Sequence, residues 1–413
     1  MWKYRCKSHL ISLIIGFVVG FILGFISLSQ GTEIYASLYP EEMLEFIENN
    51  TVLVYIMSGV SIAGIINIIR LTELAGTKWN LSPLIVVLLV FFLPDLFLIL
   101  GVVLLIPAVI ACIVGLVSLH QEKKKYGISH PNTDDEIIRQ YTLHHPLEEE
   151  YQDLGNACKK NARKIKGVYI LGVIAATFVI FLINNITFLI LIFMMFVFSF
   201  NIILRYKTTN ELPIISLLAQ NCDPEACASA IIYYSQSHNK SKLKMHIQLA
   251  QCLIYMDDPE LAQDVLALMP RKDRQSNMQY WTVMSYIYYL LKDEKSLERC
   301  KEELSKLNGT MPLSSVFIPS EELGVVQNKI NLMNGDLNGC RKYYLASLQR
   351  ARFPFQQVDA SYYIGLISFV QEDYTVAELY FKKVVSIGNT MCFVKKAELY
   401  LDKLAQMNIE EEI

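Results

Sequence analysis

Long apolar runs separated by short polar segments fill the first half of the chain, and helical apolar patterns broken by brief turns fill the second. The first run, Leu10 to Leu28, is long enough to cross about 30 Å of hydrocarbon at 1.5 Å per residue. It reads as a span and not as a cleaved leader, because no small-x-small site follows promptly. A second span covers about 52–69. The block from Leu81 to Leu119 would extend about 58 Å as one helix, so it is expected to fold back. A turn near Gly101 then gives spans at about 81–99 and 101–119. The last block, 167–204, divides at the polar pair Asn184-Asn185 into a hairpin of two further spans.

The polar segments orient these six helices. Residues 29–51 hold Glu33, Glu41, Glu42, Glu45 and Glu48 with neither lysine nor arginine, which places the segment outside. Arg70 and Lys78 mark a short cytoplasmic loop after the second span. The loop at 120–166 carries Lys123, Lys124 and Lys125 at one membrane edge and Lys159, Lys160, Arg163, Lys164 and Lys166 at the other, the strongest cytoplasmic signal in the chain. Arg205 and Lys207 close the sixth span on the same side. Both termini are therefore expected in the cytoplasm, on an integral protein of the plasma (cytoplasmic) membrane in contact with the lipid bilayer. Composition agrees, since the 53% of hydrophobic residues are concentrated between 10 and 204. A net charge of −3 gives no footing for a nucleic-acid partner.

Candidate chemistry is sparse. Ser12, Gly16, Gly20 and Gly24 recur every four residues on the first span, a stripe that lets another helix approach closely, and the transmembrane helices offer a route to an oligomer. Asp95 is the one acid within an apolar block, and an intramembrane carboxylate is a functional candidate because burying it is costly. No metal site is expected: the nine cysteines lack zinc-ligand spacing, and the adjacent His144 and His145 cannot share a helical face. The stretches 134–141 and 149–166 are instead expected as amphipathic helices beside the bilayer. Nucleotide-binding, zinc-protease and hydrolase motifs are missing, so no cofactor and no enzyme are expected. A rhomboid-like intramembrane protease, which six spans joined to helical repeats bring to mind, fails because His9 and His120 fall at cytoplasmic ends and no span holds a base for Ser58 or Ser61.

From residue 211 the helical patterns come in pairs. Asp223-Pro224-Glu225 is echoed by Asp258-Pro259-Glu260, with Asp suited to an N-cap and Pro to the first helical position. Small residues expected at helix crossings recur at Cys227, Ala262, Cys300, Cys340 and Ala377, at intervals of 35, 38, 40 and 37 residues. The last unit carries Gly365, Tyr374, Ala377, Phe381 and Val384, and the unit before it Gly335, Leu337, Cys340 and Tyr344. With these residues the segment 211–413 resembles a tetratricopeptide-repeat (TPR) array of about five helix pairs. The family's tryptophan and proline are missing from their places, which leaves another α-solenoid, HEAT-like, as the alternative.

The resemblance implies recognition of a cytoplasmic protein or peptide on a concave face. Lys244, Gln251, Tyr255, Ser285, Tyr289, Lys329 and Tyr362 would line it, unless the tyrosines pack between units. The expected protein is thus all-α: a polytopic six-helix transmembrane region followed by a cytoplasmic TPR-like domain. It would act as a membrane-anchored scaffold, with a transporter or transporter subunit as the alternative.

Overall fold

The computed structural model describes residues 2–29, 49–79, 94–126, 130–131, 133–182, 186–237, 241–308 and 321–411. All regular structure among them is helical. They divide into two compact units, one of residues 1–130, 270–281 and 302–322 and the other of residues 131–269, 282–301 and 323–413.

The first unit is built on α1 (Trp2–Ser29), α2 (Thr51–Trp79), α3 (Pro94–Val103) and α4 (Leu105–Tyr126). The glycine stripe lies at the crossing of α1 and α2. A Cβ on Gly20 would stand 2.9 Å from the Gly59 Cα, and one on Gly24 would stand 2.9 Å from the Ser58 Cβ. Close backbone approach of this kind is what small residues permit in membrane bundles. Gly101 does the same work against Gly64 of α2, and it does not turn the chain. Leu104 N donates to Leu100 O and Ala108 N to Leu104 O, each at 2.9 Å, so α3 and α4 follow one another in series. The single break at Leu104 has its cause in Pro107, which has no N–H for the Val103 carbonyl. Residues 80–93, where most of the expected third span falls, lie outside the described residues.

Two more boundaries differ from expectation. Arg70 is not in a loop: α2 continues to Trp79, and Arg70 pairs with Glu73 one turn on at 3.1 Å. Glu73 also takes Arg5 at 3.2 Å, and Lys3 pairs with Glu122 at 2.5 Å. These contacts put the start of α1 beside the ends of α2 and α4. His9 is likewise not at a solvated end. It is buried within the bundle, 3.0 Å from the Asn67 side chain, which in turn donates to Gly101 O at 2.9 Å. Among the described residues three helical stretches are long and apolar enough to cross a membrane, Trp2–Ile26, Thr51–Leu74 and Leu105–Glu122, where six spans were expected.

The second unit begins with α5 (Asp134–His144) and two long helices, α6 (Gln152–Leu182) and α7 (Ile186–Ala219). Its α6 crosses the expected loop-to-span boundary at residue 166, and α7 passes Arg205 and Lys207 without a break. Then come α8 (Pro224–Ser235), α9 (His246–Tyr255), α10 (Pro259–Ala267), α11 (Arg274–Leu290), α12 (Glu294–Asn308), α13 (Glu321–Met333), α14 (Leu337–Arg350), α15 (Pro354–Val370), α16 (Tyr374–Ile387) and α17 (Cys392–Glu411). Helices α11, α12 and α13 each straddle the division between the units.

One turn recurs five times in this series. Cys222, Asp257, Lys292, Gly335 and Glu372 each adopt a positive φ, between 54° and 78°, and each is followed by an aspartate that opens the next helix. The aspartate N–H reaches back to the helix just ended, as from Asp258 to Leu253 O, Asp293 to Tyr288 O and Asp336 to Asn331 O, all at 2.9 Å. This left-handed C-cap satisfies carbonyls that the helix end would leave orphaned. The carboxylates of Asp223, Asp258, Asp293 and Asp336 then cap the following helix by accepting from backbone N–H groups three residues on. The five small residues expected at helix crossings are all fully buried. Gly365 lets α15 approach the Phe381 ring of α16, where a Cβ would come within 2.8 Å.

The ends of the series meet. Asn389 donates to Asn221 O at 3.0 Å, Thr390 to the Asp223 carboxylate at 2.8 Å, and Lys396 to Asp257 at 2.6 Å. The turn before α17 and its first residues therefore rest on the turns that open α8 and α10.

Candidate functional site

Inside the second unit the inner faces of α11, α13, α14 and α15 enclose one lysine. Lys329 is 3% exposed. Its ammonium stands 3.6 Å from the ring centre of Tyr286, 4.1 Å from Tyr363 and 4.9 Å from Tyr289, and it donates to the Tyr344 hydroxyl at 3.1 Å. Tyr344 and Tyr363 stack at 4.8 Å, so the cage is itself packed. Asp359 supplies the countercharge and accepts from the Tyr286 hydroxyl at 2.6 Å.

Ring faces and a desolvated carboxylate are what a buried cation needs in place of water. Burial pulls the Lys329 ammonium down to about 8, with Asp359 and Cys340 opposing. Burial also raises Asp359, against Lys329 and the Tyr286 hydrogen bond. Both shifts have the same source: each ion is cheap only while the other persists. At neutral pH the lysine stays protonated. It acts there as a cation tying four helices, enclosed by rings that stand between it and any incoming electrophile.

The residues expected on a concave face are distributed as follows. Lys329 and Tyr289 meet in the cage. Tyr255 and Tyr362 join the adjoining aromatic cluster, where the Phe393 ring of α17 lies 5.8 Å from Tyr255 and stacks on Tyr362 at 4.4 Å. Ser285 is buried on α11, bonded to Thr282 O at 2.6 Å. Tyr255 and Tyr362 are buried among helices, the alternative left open for the tyrosines, and Ser285 and Lys329 are buried as well. Lys244 lies over the Tyr234 ring at 3.6 Å and remains half-buried, as do Gln251 and Tyr289.

Asp359, Tyr286, Tyr363 and Phe393 were not singled out from the sequence, and Tyr344 only as a repeat position. The available signal was Asp359, the single charge on a helix with the pattern Val358-Asp359-Ala360-Ser361-Tyr362-Tyr363-Ile364. An acid in such a run must be paired if the helix is buried.

In the membrane half, Gly16, Gly20 and Gly24 pack against α2 of the same chain, so the stripe is consumed within one bundle. Asp95 is the second residue of α3, and its side chain lies outside the described set. The hydrogen bond of His9 goes to Asn67, while Ser58 is engaged at Gly20 and Gly24, so no serine–histidine pair forms between them. Comparison of the chain with protein-family models, with curated proteins and with solved structures finds no match.

Proposed function

We propose that the protein is a membrane-anchored scaffold that holds a TPR-like helical array at the cytoplasmic face and recruits a protein partner there. The observation that carries this reading is α7, one helix that begins in the last apolar block and ends at the first of five left-handed turns, each followed by an aspartate. A helical joint of this kind, continuous although it contains Pro213, joins an array to a membrane with no non-helical linker. The basic residues around α6 and at Arg205 and Lys207 favour the cytoplasmic side.

Lys244, Gln251 and Tyr289, each half-buried, are the positions this reading offers to a partner. The test places a photo-crosslinking residue at Gln251 in the full chain in native membranes, alongside a topology reporter at the C-terminus. The expected result is a cytoplasmic reporter and a discrete protein adduct that weakens on Lys244→Glu. A reporter on the far side, or crosslinks to lipid and to the chain itself alone, overturns the reading.

A further inference from the structure

His144, His145 and Asp258 come together although 113 residues separate the nearer two in sequence. The rule that adjacent residues face apart on a helix does not govern this pair, because the helix ends between them. His144 is the last residue of α5, and His145 is its C-cap, with φ −131° and ψ 135°. The cause is Pro146, whose ring drives the preceding residue into the extended region. His145 N–H still closes the last turn on Tyr141 O at 2.8 Å, and the Tyr141 ring lies 5.3 Å from the imidazole. Both rings therefore turn the same way. His144 Nδ1 and His145 Nε2 each lie 3.0 Å from the same oxygen, Asp258 Oδ2.

The other oxygen of Asp258 is committed elsewhere: Oδ1 caps α10 by accepting from Leu261 N at 3.0 Å. That cap fixes the carboxylate and leaves Oδ2 aimed at the histidines. The three donor atoms all lie within 4.8 Å of one another. A zinc ion held at about 2.0–2.1 Å by tetrahedral ligands needs those ligands roughly 3.3 Å apart; the two histidine–carboxylate separations of 3.0 Å stand a few tenths of an ångström from that, and the two imidazole nitrogens lie within 4.8 Å of each other. The carbonyl end of α5 also faces this position and favours a cation. His145 and Asp258 are 17% and 15% exposed and His144 is 55% exposed, so the group is anchored on one side and open to water on the other.

We propose that His144, His145 and Asp258 form a binding site for a divalent transition metal of the zinc class, with three protein ligands and one position left to solvent. Two imidazoles and one carboxylate suit zinc, cobalt, nickel or copper; magnesium and calcium take oxygen ligands. A bound ion would take the place of the two imidazole–carboxylate hydrogen bonds and would clasp α5 to the start of α10.

The test uses the full chain without a histidine tag, purified in detergent and stripped with a chelator. Zinc is titrated by calorimetry, and cobalt is added as a spectroscopic stand-in. Wild type should bind one ion, with a tetrahedral cobalt spectrum. His144→Ala removes an exposed ligand and should lower zinc affinity at least tenfold and abolish the cobalt bands. Asp258→Asn keeps a capping oxygen for Leu261 and should do the same with little change in the metal-free melting temperature. Zinc bound equally by wild type and His144→Ala would mean an adventitious ion only, and would overturn the proposal. So would a cobalt spectrum that neither variant alters.

Discussion

Lys329 is the residue on which most of the interior turns. Its depressed affinity for a proton means that the unfolded chain binds that proton more tightly than the folded one. Stability should therefore rise with pH through the window from about 8 to the ordinary lysine value. The shift corresponds to roughly 2–3 kcal/mol gained between pH 8 and 10. Above pH 10 the tyrosines, whose ionisation burial holds back in the folded state, reverse the trend. Thermal unfolding of the purified full chain at pH 7.5, 8.5 and 9.5 should record the rise, and Lys329→Met should remove it. An unchanged slope in that variant would place the titration elsewhere. His246 makes the matching case in acid. Burial holds its imidazole down to about 4 against the pull of Asp134, so stability present above pH 6.5 is lost as pH falls toward 4. His246→Gln should flatten that acid limb while leaving the alkaline one intact.

At the scale of elements, the recurrent turn and the glycine crossings carry the architecture. Asp336→Ala removes the acceptor for Gly339 N and should cost about 1 kcal/mol, read as a lower melting temperature. Gly20→Leu drives a side chain into the Ser58 carbonyl and Gly59 of α2 and should break the bundle, read as loss of the monodisperse detergent-extracted species. The glycine stripe and the Asp-Pro-Glu echo were legible because each needs a specific residue type. Close approach requires a missing Cβ, and a helix start favours Asp followed by Pro. The later turns were harder to see, since Lys292-Asp293, Gly335-Asp336 and Glu372-Asp373 share only the aspartate. Helix ends were misread at residues 70 and 101, and the expected span edges at 166 and 204 fall inside helices, for one reason. Hydropathy marks where side chains change solvent, while the backbone ladder runs on through Arg70, Gly101, Lys166 and Arg205 regardless. Gly101 misled further, because the property that suits glycine to a turn also suits it to a helix crossing.

At the scale of the second unit, the decisive fact is closure, and no local pattern announces it. An extended solenoid leaves its inner face open, but here α17 returns to that face and seats Phe393 against Tyr255, Tyr362 and Tyr363. Contacts spanning 138 and 139 residues, from Cys392 to Ile254 O and from Lys396 to Asp257, set the closure, and sequence periodicity carries no information about them. The tyrosines and Lys329 were assigned an open face because the last unit read from the sequence ended at Val384 and took no account of α17, which packs on the tyrosines. Closure also constrains recognition: a partner seeking the inner face must first displace α17, whereas one docking at Gln251 need not. Phe393 is 4% exposed and stacked on Tyr362, so Phe393→Ala should cost about 3–4 kcal/mol if the unit unfolds as one body. Hydrogen exchange on the full chain separates two outcomes. If closure couples the ends, amides of α17 and of Leu253 to Tyr255 in α9 should lose protection together in the variant. If α17 alone exchanges faster while α9 keeps its protection, the last helix is a separable cover, and the inner face becomes the more accessible surface for a partner.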